Sequence, residues 1–168
     1  QLTIQAARRM GVSIDSPAER RVLVIDDEDI VRDSVSTYLA DSGFVVFQAR
    51  DGREGLDQFQ EKQPHVVLLD LRMPRMDGLE VLEAIAGELD QVPVIVVTGA
   101  GVLQDAVAAL RLGAFDYVTK PIVDMAVLEH SVNRALEHTR LREENRRYQA
   151  HLEDEIQART QDLHWRTE

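Results

Sequence analysis

The chain has 168 residues, 44% of them hydrophobic, which is enough for one globular domain plus a further segment at the usual size of about 100–150 residues per domain. Acidic residues outnumber basic ones 30 to 19, and the resulting net charge of −11 argues against a bulk electrostatic grip on nucleic acid phosphates or anionic lipid. Cysteine is absent, which excludes disulfide frameworks, thiol nucleophiles, iron–sulfur clusters and thiolate zinc sites.

No apolar run approaches the roughly 18 residues needed to cross a bilayer, and the N-terminus lacks the basic-then-apolar build of a secretion signal, so a soluble cytoplasmic protein is expected. The chain starts at Gln1 and stops at Glu168 in a charged, helix-like stretch, as an excised fragment would.

Residues 1–19 form a weakly periodic stretch ending near Ser16-Pro17 and read as a flexible or partly helical leader. A domain over 20–123 follows. Val22-Leu23-Val24-Ile25 is a β-branched apolar run closed by Asp26-Asp27-Glu28-Asp29, after which Val31, Val35, Tyr38 and Leu39 recur at helical spacing, with Asp29 as the expected N-cap. Gly43 stops that helix, Phe44–Phe47 is a second run, and Asp51-Gly52 opens a helix with Leu56 and Phe59 inward that Pro64 breaks.

Val66–Leu69 is the third run, ended by Asp70; a loop with Pro74 and Gly78 leads into a helix carrying Leu79, Val81, Leu82 and Ile85. Val94–Val97, ended by Thr98-Gly99, is the fourth, and a helix over Leu103–Leu112 with Val107 and Leu110 on one face stops at Gly113. The fifth strand, Asp116–Thr119, ends at Lys120-Pro121. Short apolar strands alternating with amphipathic helices predict an α/β, doubly wound five-stranded parallel sheet, because right-handed crossovers lay helices on both faces.

From Asp124 to Glu168 there is neither Pro nor Gly, and the segment predicts a helical rod of about 65 Å. Leu141, Asn145, Tyr148, Leu152, Ile156, Arg159 and Leu163 recur every three or four residues, a seam suited to a parallel dimeric coiled coil. The consecutive fours at Tyr148-Leu152-Ile156 resemble a stutter. With 10 acids against 7 Arg beyond residue 122 and no helix-turn-helix pattern, nucleic-acid contact by this chain is not expected.

In a doubly wound sheet, ligands bind beyond the carboxyl ends of the strands. Asp26, Asp27, Asp70, Thr98 and Lys120 all fall there. Singly, each has an ordinary explanation as a cap, turn or surface charge; together they need one of their own. Only two of the 19 basic residues, Lys62 and Lys120, are lysine, so Lys120 reads as a deliberate slim point charge. Two unit charges 4 Å apart repel by about 4 kcal/mol at an effective dielectric near 20, so three crowded carboxylates call for a cation. Hard oxygen ligands without Cys or His at any strand end favour Mg²⁺. With the metal on one flank and Lys120 on the other, Asp70 becomes a nucleophile able to take a phosphoryl group. Thr98 can donate to a phosphoryl oxygen, and Gly99 lets the backbone approach it closely.

These residues resemble the receiver domain of bacterial two-component response regulators. The resemblance rests on Asp26-Asp27, the run Asp70-Leu71-Arg72-Met73-Pro74-Arg75-Met76-Asp77-Gly78, Thr98-Gly99-Ala100 and Tyr117-Val118-Thr119-Lys120-Pro121, and covers Arg21 to Ile122. It implies a flavodoxin-like strand order 2-1-3-4-5 and phosphorylation of Asp70 by a histidine kinase or phosphotransfer protein. It implies a Mg²⁺ site formed by Asp27, which binds directly, Asp26, which binds mainly through water, Asp70 and the backbone carbonyl of Arg72. It further implies a switch at Thr98 and Tyr117 and a cis Lys120-Pro121 peptide. Such a chain is a signalling switch limited to self-phosphorylation and autodephosphorylation.

Asn145-Arg146-Arg147-Tyr148 and Arg159-Thr160-Gln161-Asp162-Leu163 look like linker helices that join receivers to HD-GYP-type phosphodiesterase or other output modules. One rival is a haloacid-dehalogenase-like phosphatase, but that family's second Asp, two positions after the nucleophile, is Arg72 here. Another is a degenerate receiver working without phosphate, against which stands the filling of every matched polar position.

Overall fold

The computed structural model describes residues 19–99 and 103–165. The leader expected over 1–19 therefore lies, apart from Glu19, outside the described residues. Five parallel strands form one sheet: β1 (Arg21–Ile25), β2 (Val45–Ala49), β3 (Val66–Asp70), β4 (Val94–Gly99) and β5 (Asp116–Lys120), in the order β2-β1-β3-β4-β5. Between them run α1 (Asp29–Asp41), α2 (Gly52–Lys62), α3 (Gly78–Ala84) with a 3₁₀ turn at Ala86–Glu88, and α4 (Leu103–Arg111); α5 (Met125–Trp165) follows β5. This is the doubly wound parallel sheet that the alternation predicts, in the flavodoxin-like order that the resemblance implies.

The central strands β1, β3 and β4 carry the unbroken apolar runs Val22–Ile25, Val66–Leu69 and Val94–Val97 because both faces are covered, and successive side chains feed opposite layers. Leu23, Ile25, Val67, Leu69, Val94 and Val96 pack with Phe59, Val81, Leu82 and Ala109 from α2, α3 and α4 and with Ile85 just past α3. Val22, Val24, Val66, Leu68, Ile95 and Val118 pack on the other face with Val35 and Leu39 of α1 and Leu128, Val132 and Ala135 of α5.

Local chemistry sets the boundaries. Asp51 and Asp77 cap α2 and α3, each accepting from the backbone N–H three residues on, Glu54 at 2.8 Å and Glu80 at 2.9 Å. Gly43 and Gly113 take φ of +96° and +108° just past α1 and α4, where residues with a Cβ are strained. The N-cap of α1 is Glu28 rather than Asp29: Glu28 is the extended residue, and Asp29, already helical, turns its carboxylate to Arg32 at 2.5 Å. On α4 the buried residues are Ala106 and Ala109, while Val107 and Leu110 remain 40% exposed, so small side chains let this helix lie close on the sheet.

Helix α5 is continuous for 41 residues, about 60 Å. Its first three turns are core, with Leu128, Ser131, Val132 and Ala135 buried. Farther along it carries its own ion pairs, Arg140 to Glu137 and Glu144 and Arg146 and Arg147 to Glu143, while Leu141, Tyr148, Leu152, Ile156 and Leu163 are exposed. Among the described residues no helix is long and apolar enough to cross a membrane.

Candidate phosphoacceptor site

Parallel pairing brings the carboxyl ends of all five strands to one edge. Asp70 is the last residue of β3 and pairs in register with Val97; Thr98 pairs with Thr119, and Gly99 with Lys120. Asp26 and Asp27 follow β1 directly, and the Asp26 N–H donates to the Ala49 carbonyl at 3.1 Å, holding the turn against β2. Asp26, Asp70 and Thr98 are buried, at 4, 4 and 3% exposure, whereas Asp27 opens to solvent. One carboxylate oxygen from each of Asp26, Asp27 and Asp70 lies within 4.8 Å of the other two.

Lys120 faces this cluster from β5. Its Nζ lies 3.0 Å from Asp26 Oδ2, 3.3 Å from Asp70 Oδ2 and 3.2 Å from Glu28 Oε1, with the side chain 16% exposed. Burial alone would lower the ammonium's pKa, but the hydrogen bond to Asp26, the charges of Asp70 and Asp26 and the bond to Glu28 prevail and push it up to about 12. Asp70 is raised too, although an acid beside an ammonium is ordinarily lowered. Burial, the Asp26 charge and a hydrogen bond with Asp27 push it up to about 7, against the pull of Lys120 and of the Arg72 N–H that donates to its Oδ1 at 3.2 Å. The pocket is thus overloaded with negative charge that one ammonium does not balance, and three hard oxygen donors in reach of one another suit a small divalent cation.

The loop after Asp70 is built around close approach. A Cβ on Gly78 would sit 2.4 Å from the Asp70 carbonyl oxygen and 2.7 Å from Leu71 Cα, so only glycine lets α3 start against the end of β3; its N–H donates to the Leu71 carbonyl at 3.0 Å. The Arg72 side chain turns outward to Asp105 of α4 at 3.1 Å. At Gly99 a Cβ would meet no atom of the described residues within 4 Å. Ala100, the last residue of the Thr98-Gly99-Ala100 motif, lies outside the described residues. The Lys120-Pro121 peptide is cis, and Tyr117 stands 38% exposed on β5.

Two residues of this site escape sequence reading. Glu28 joins Lys120 across 92 positions, and Arg32 donates to the Asp26 carbonyl at 2.8 Å and to Gln48 at 3.2 Å, tying the acidic turn to α1 and β2. Arg32 carries a legible signal, a cation one helical turn beyond an acidic strand end; Glu28 carries none, since its contact depends on tertiary closure.

The comparisons with known proteins agree with this geometry. Residues 22–133 match the model of the response regulator receiver domain. The chain is 43% identical over 129 residues to the regulatory protein AtoC of Escherichia coli K12, covering 77% of this chain and 28% of AtoC. It is 43% identical over 101 residues to the response regulator MprA of Mycolicibacterium vanbaalenii, covering 60% of this chain and 44% of MprA. The chain therefore spans less than half the length of these curated relatives.

Among solved structures, a response regulator receiver domain protein from Clostridium thermocellum superposes with a TM-score of 0.68 at 34% identity, over 72% of this chain and 97% of that one. NtrX from Brucella abortus gives a TM-score of 0.73 at 33% identity, over 77% and 29%. With the sheet order, the acidic edge and the facing lysine already in place, these matches leave one assignment: the chain belongs to the response regulator receiver domain family.

Proposed function

We propose that this chain is the phosphorylatable switch of a two-component phosphorelay, in which Asp70 accepts a phosphoryl group from a histidine kinase or phosphotransfer protein. The reading rests on the buried Asp70 carboxylate between Asp26, Asp27 and the Lys120 ammonium. An Asp70 oxygen attacks phosphorus; the new O–P bond forms as the donor's P–N bond breaks, and the electron pair leaves on the imidazole nitrogen. Lys120 donates to a phosphoryl oxygen while keeping its proton, Thr98 donates its hydroxyl, and Gly99 offers backbone free of side-chain bulk. Water later attacks the acyl phosphate and returns the free carboxylate with inorganic phosphate, so the chain is a timer rather than a turnover enzyme.

Asp26, Asp27, Asp70 and the Arg72 backbone carbonyl would hold Mg²⁺. When bound, magnesium supplies the positive charge that offsets the crowded carboxylates and neutralises phosphoryl oxygens. New contacts at the phosphoryl group favour one of two packings of Thr98 and Tyr117, and the shift is limited by the difference in binding energy between them.

The receiver proper spans 20–123, and 124–168 acts as linker, carrying the change to an effector module. The exposed seam from Leu141 to Leu163 supports pairing with a second copy in parallel, since a lone helix leaves these side chains in water. The acidic surface and the absence of a membrane-spanning helix among the described residues support a cytoplasmic protein whose own contacts are with protein rather than nucleic acid or lipid.

Acetyl phosphate with Mg²⁺ tests the reading. Intact-mass measurement is expected to give one added phosphoryl group on wild type and none on Asp70→Asn; equal labelling of both removes Asp70 from its role. Sustained turnover of a generic phosphomonoester would instead favour the phosphatase alternative. For the linker, sedimentation is expected to report a dimer, and a monomer with and without a phosphoryl mimic contradicts the pairing.

A further inference from the structure

We propose that Glu28 is an internal competitor for the Lys120 ammonium, occupying the place a phosphoryl oxygen takes and thereby setting how strongly the phosphorylated state is held. The inference rests on the phosphoacceptor reading of Asp70. An ammonium has three protons, and Lys120 already has three carboxylate partners: Asp26 Oδ2 at 3.0 Å, Glu28 Oε1 at 3.2 Å and Asp70 Oδ2 at 3.3 Å. A phosphoryl oxygen arriving at Asp70 needs one of those protons, so one partner must yield.

The three are not equally free to move. The Asp26 side chain is 6% exposed, and its second oxygen accepts from the Glu28 N–H at 2.9 Å, so it is locked on both sides. Asp70, at 5%, is the group that reacts. Glu28 is 60% exposed at the mouth of the pocket. As the N-cap of α1 it makes no side-chain capping bond, so its carboxylate is left to reach Lys120. Its backbone carbonyl accepts from Arg32 N at 2.9 Å, which anchors the main chain while the side chain swings. Glu28 is therefore the partner displaced, and its charge also repels an incoming phosphoryl anion.

Both effects have the same sign: removing the carboxylate favours the phosphoryl-bound state. An exposed ion pair of this kind is worth about a two- to fivefold change in binding. The effect runs through Lys120, which makes Glu28 a positioning residue and not a catalytic one. Structural damage at this turn would weaken phosphoryl binding, whereas loss of a competitor tightens it, so the direction separates the two roles.

Beryllofluoride, a phosphoryl mimic, titrated into the full chain at saturating Mg²⁺ and followed by fluorine NMR or calorimetry, provides the test. Glu28→Gln is expected to bind about two- to fivefold more tightly than wild type. Glu28→Asp keeps the charge but loses one methylene of reach, and is expected to tighten binding as well, by less. Unchanged or weaker binding by Glu28→Gln overturns the inference. Tightening by Glu28→Gln with Glu28→Asp equal to wild type also overturns it, by assigning the effect to charge at the pocket mouth rather than to the Lys120 contact. Failure of wild type itself to bind beryllofluoride brings down the phosphoacceptor reading and this inference together.

Discussion

The charge imbalance at the acidic edge makes an unusual demand on stability: replacing Asp70 by Asn strengthens the metal-free protein at alkaline pH. Asp70 is raised from an ordinary value of 3.8 to about 7 by burial and by the Asp26 charge. A carboxyl with a raised folded-state pKa favours folding fully below its unfolded value and loses that contribution as pH climbs through the folded one. The window is therefore about pH 4 to 7, and the full difference corresponds to roughly 4 kcal/mol.

Asn fills the same volume without ionising. Urea unfolding in EDTA is expected to place Asp70→Asn above wild type by about 2–4 kcal/mol at pH 8, with the gap closing toward pH 4. Lys120, raised to about 12, keeps its charge throughout this range and does not alter the sign. Equal stability of the two proteins at pH 8, or a gap that does not change with pH, would refute the argument.

Further outcomes follow from other parts of the structure. Adding Mg²⁺ at pH 8 is expected to raise the melting temperature of wild type, by an amount corresponding to about 2.7 kcal/mol at a hundredfold excess over Kd, and to do so far less for Asp27→Asn; identical shifts would remove Asp27 from the metal set. Gly78→Ala forces a Cβ to 2.4 Å from the Asp70 carbonyl and is expected to destabilise by about 1–3 kcal/mol in urea and to slow acetyl phosphate labelling. Ser36 is buried in α1 with a hydroxyl that has no hydrogen-bond partner among the described residues, so Ser36→Ala is expected to be neutral or stabilising by up to about 1 kcal/mol, and a clear loss of stability would contradict that.

The sheet was legible because four of its strands are short apolar runs with a polar residue at the end, and the parallel topology then carries those end residues to one edge. Asp26, Asp27, Asp70, Thr98 and Lys120 meet there for that reason. What stayed illegible depends on contacts made only after closure. The packing face of α4 is set by how closely Ala106 and Ala109 let the helix approach, which apolar periodicity at Val107 and Leu110 does not reveal. The one-residue shift of the α1 cap from Asp29 to Glu28 reflects backbone geometry, since both side chains are acidic and only their dihedral angles separate them. The Glu28–Lys120 pair joins residues 92 apart through side-chain reach, and no local pattern marks it.

Phosphorylation of Asp70 makes a covalent bond at one carboxylate oxygen, and reduction with borohydride reveals it. Wild type treated with acetyl phosphate and Mg²⁺, reduced, digested and sequenced by mass spectrometry is predicted to carry homoserine at position 70, the product of reducing an aspartyl phosphate. Homoserine at position 26 or 27, or label stable to reduction on a hydroxyl residue such as Thr98, would contradict the account.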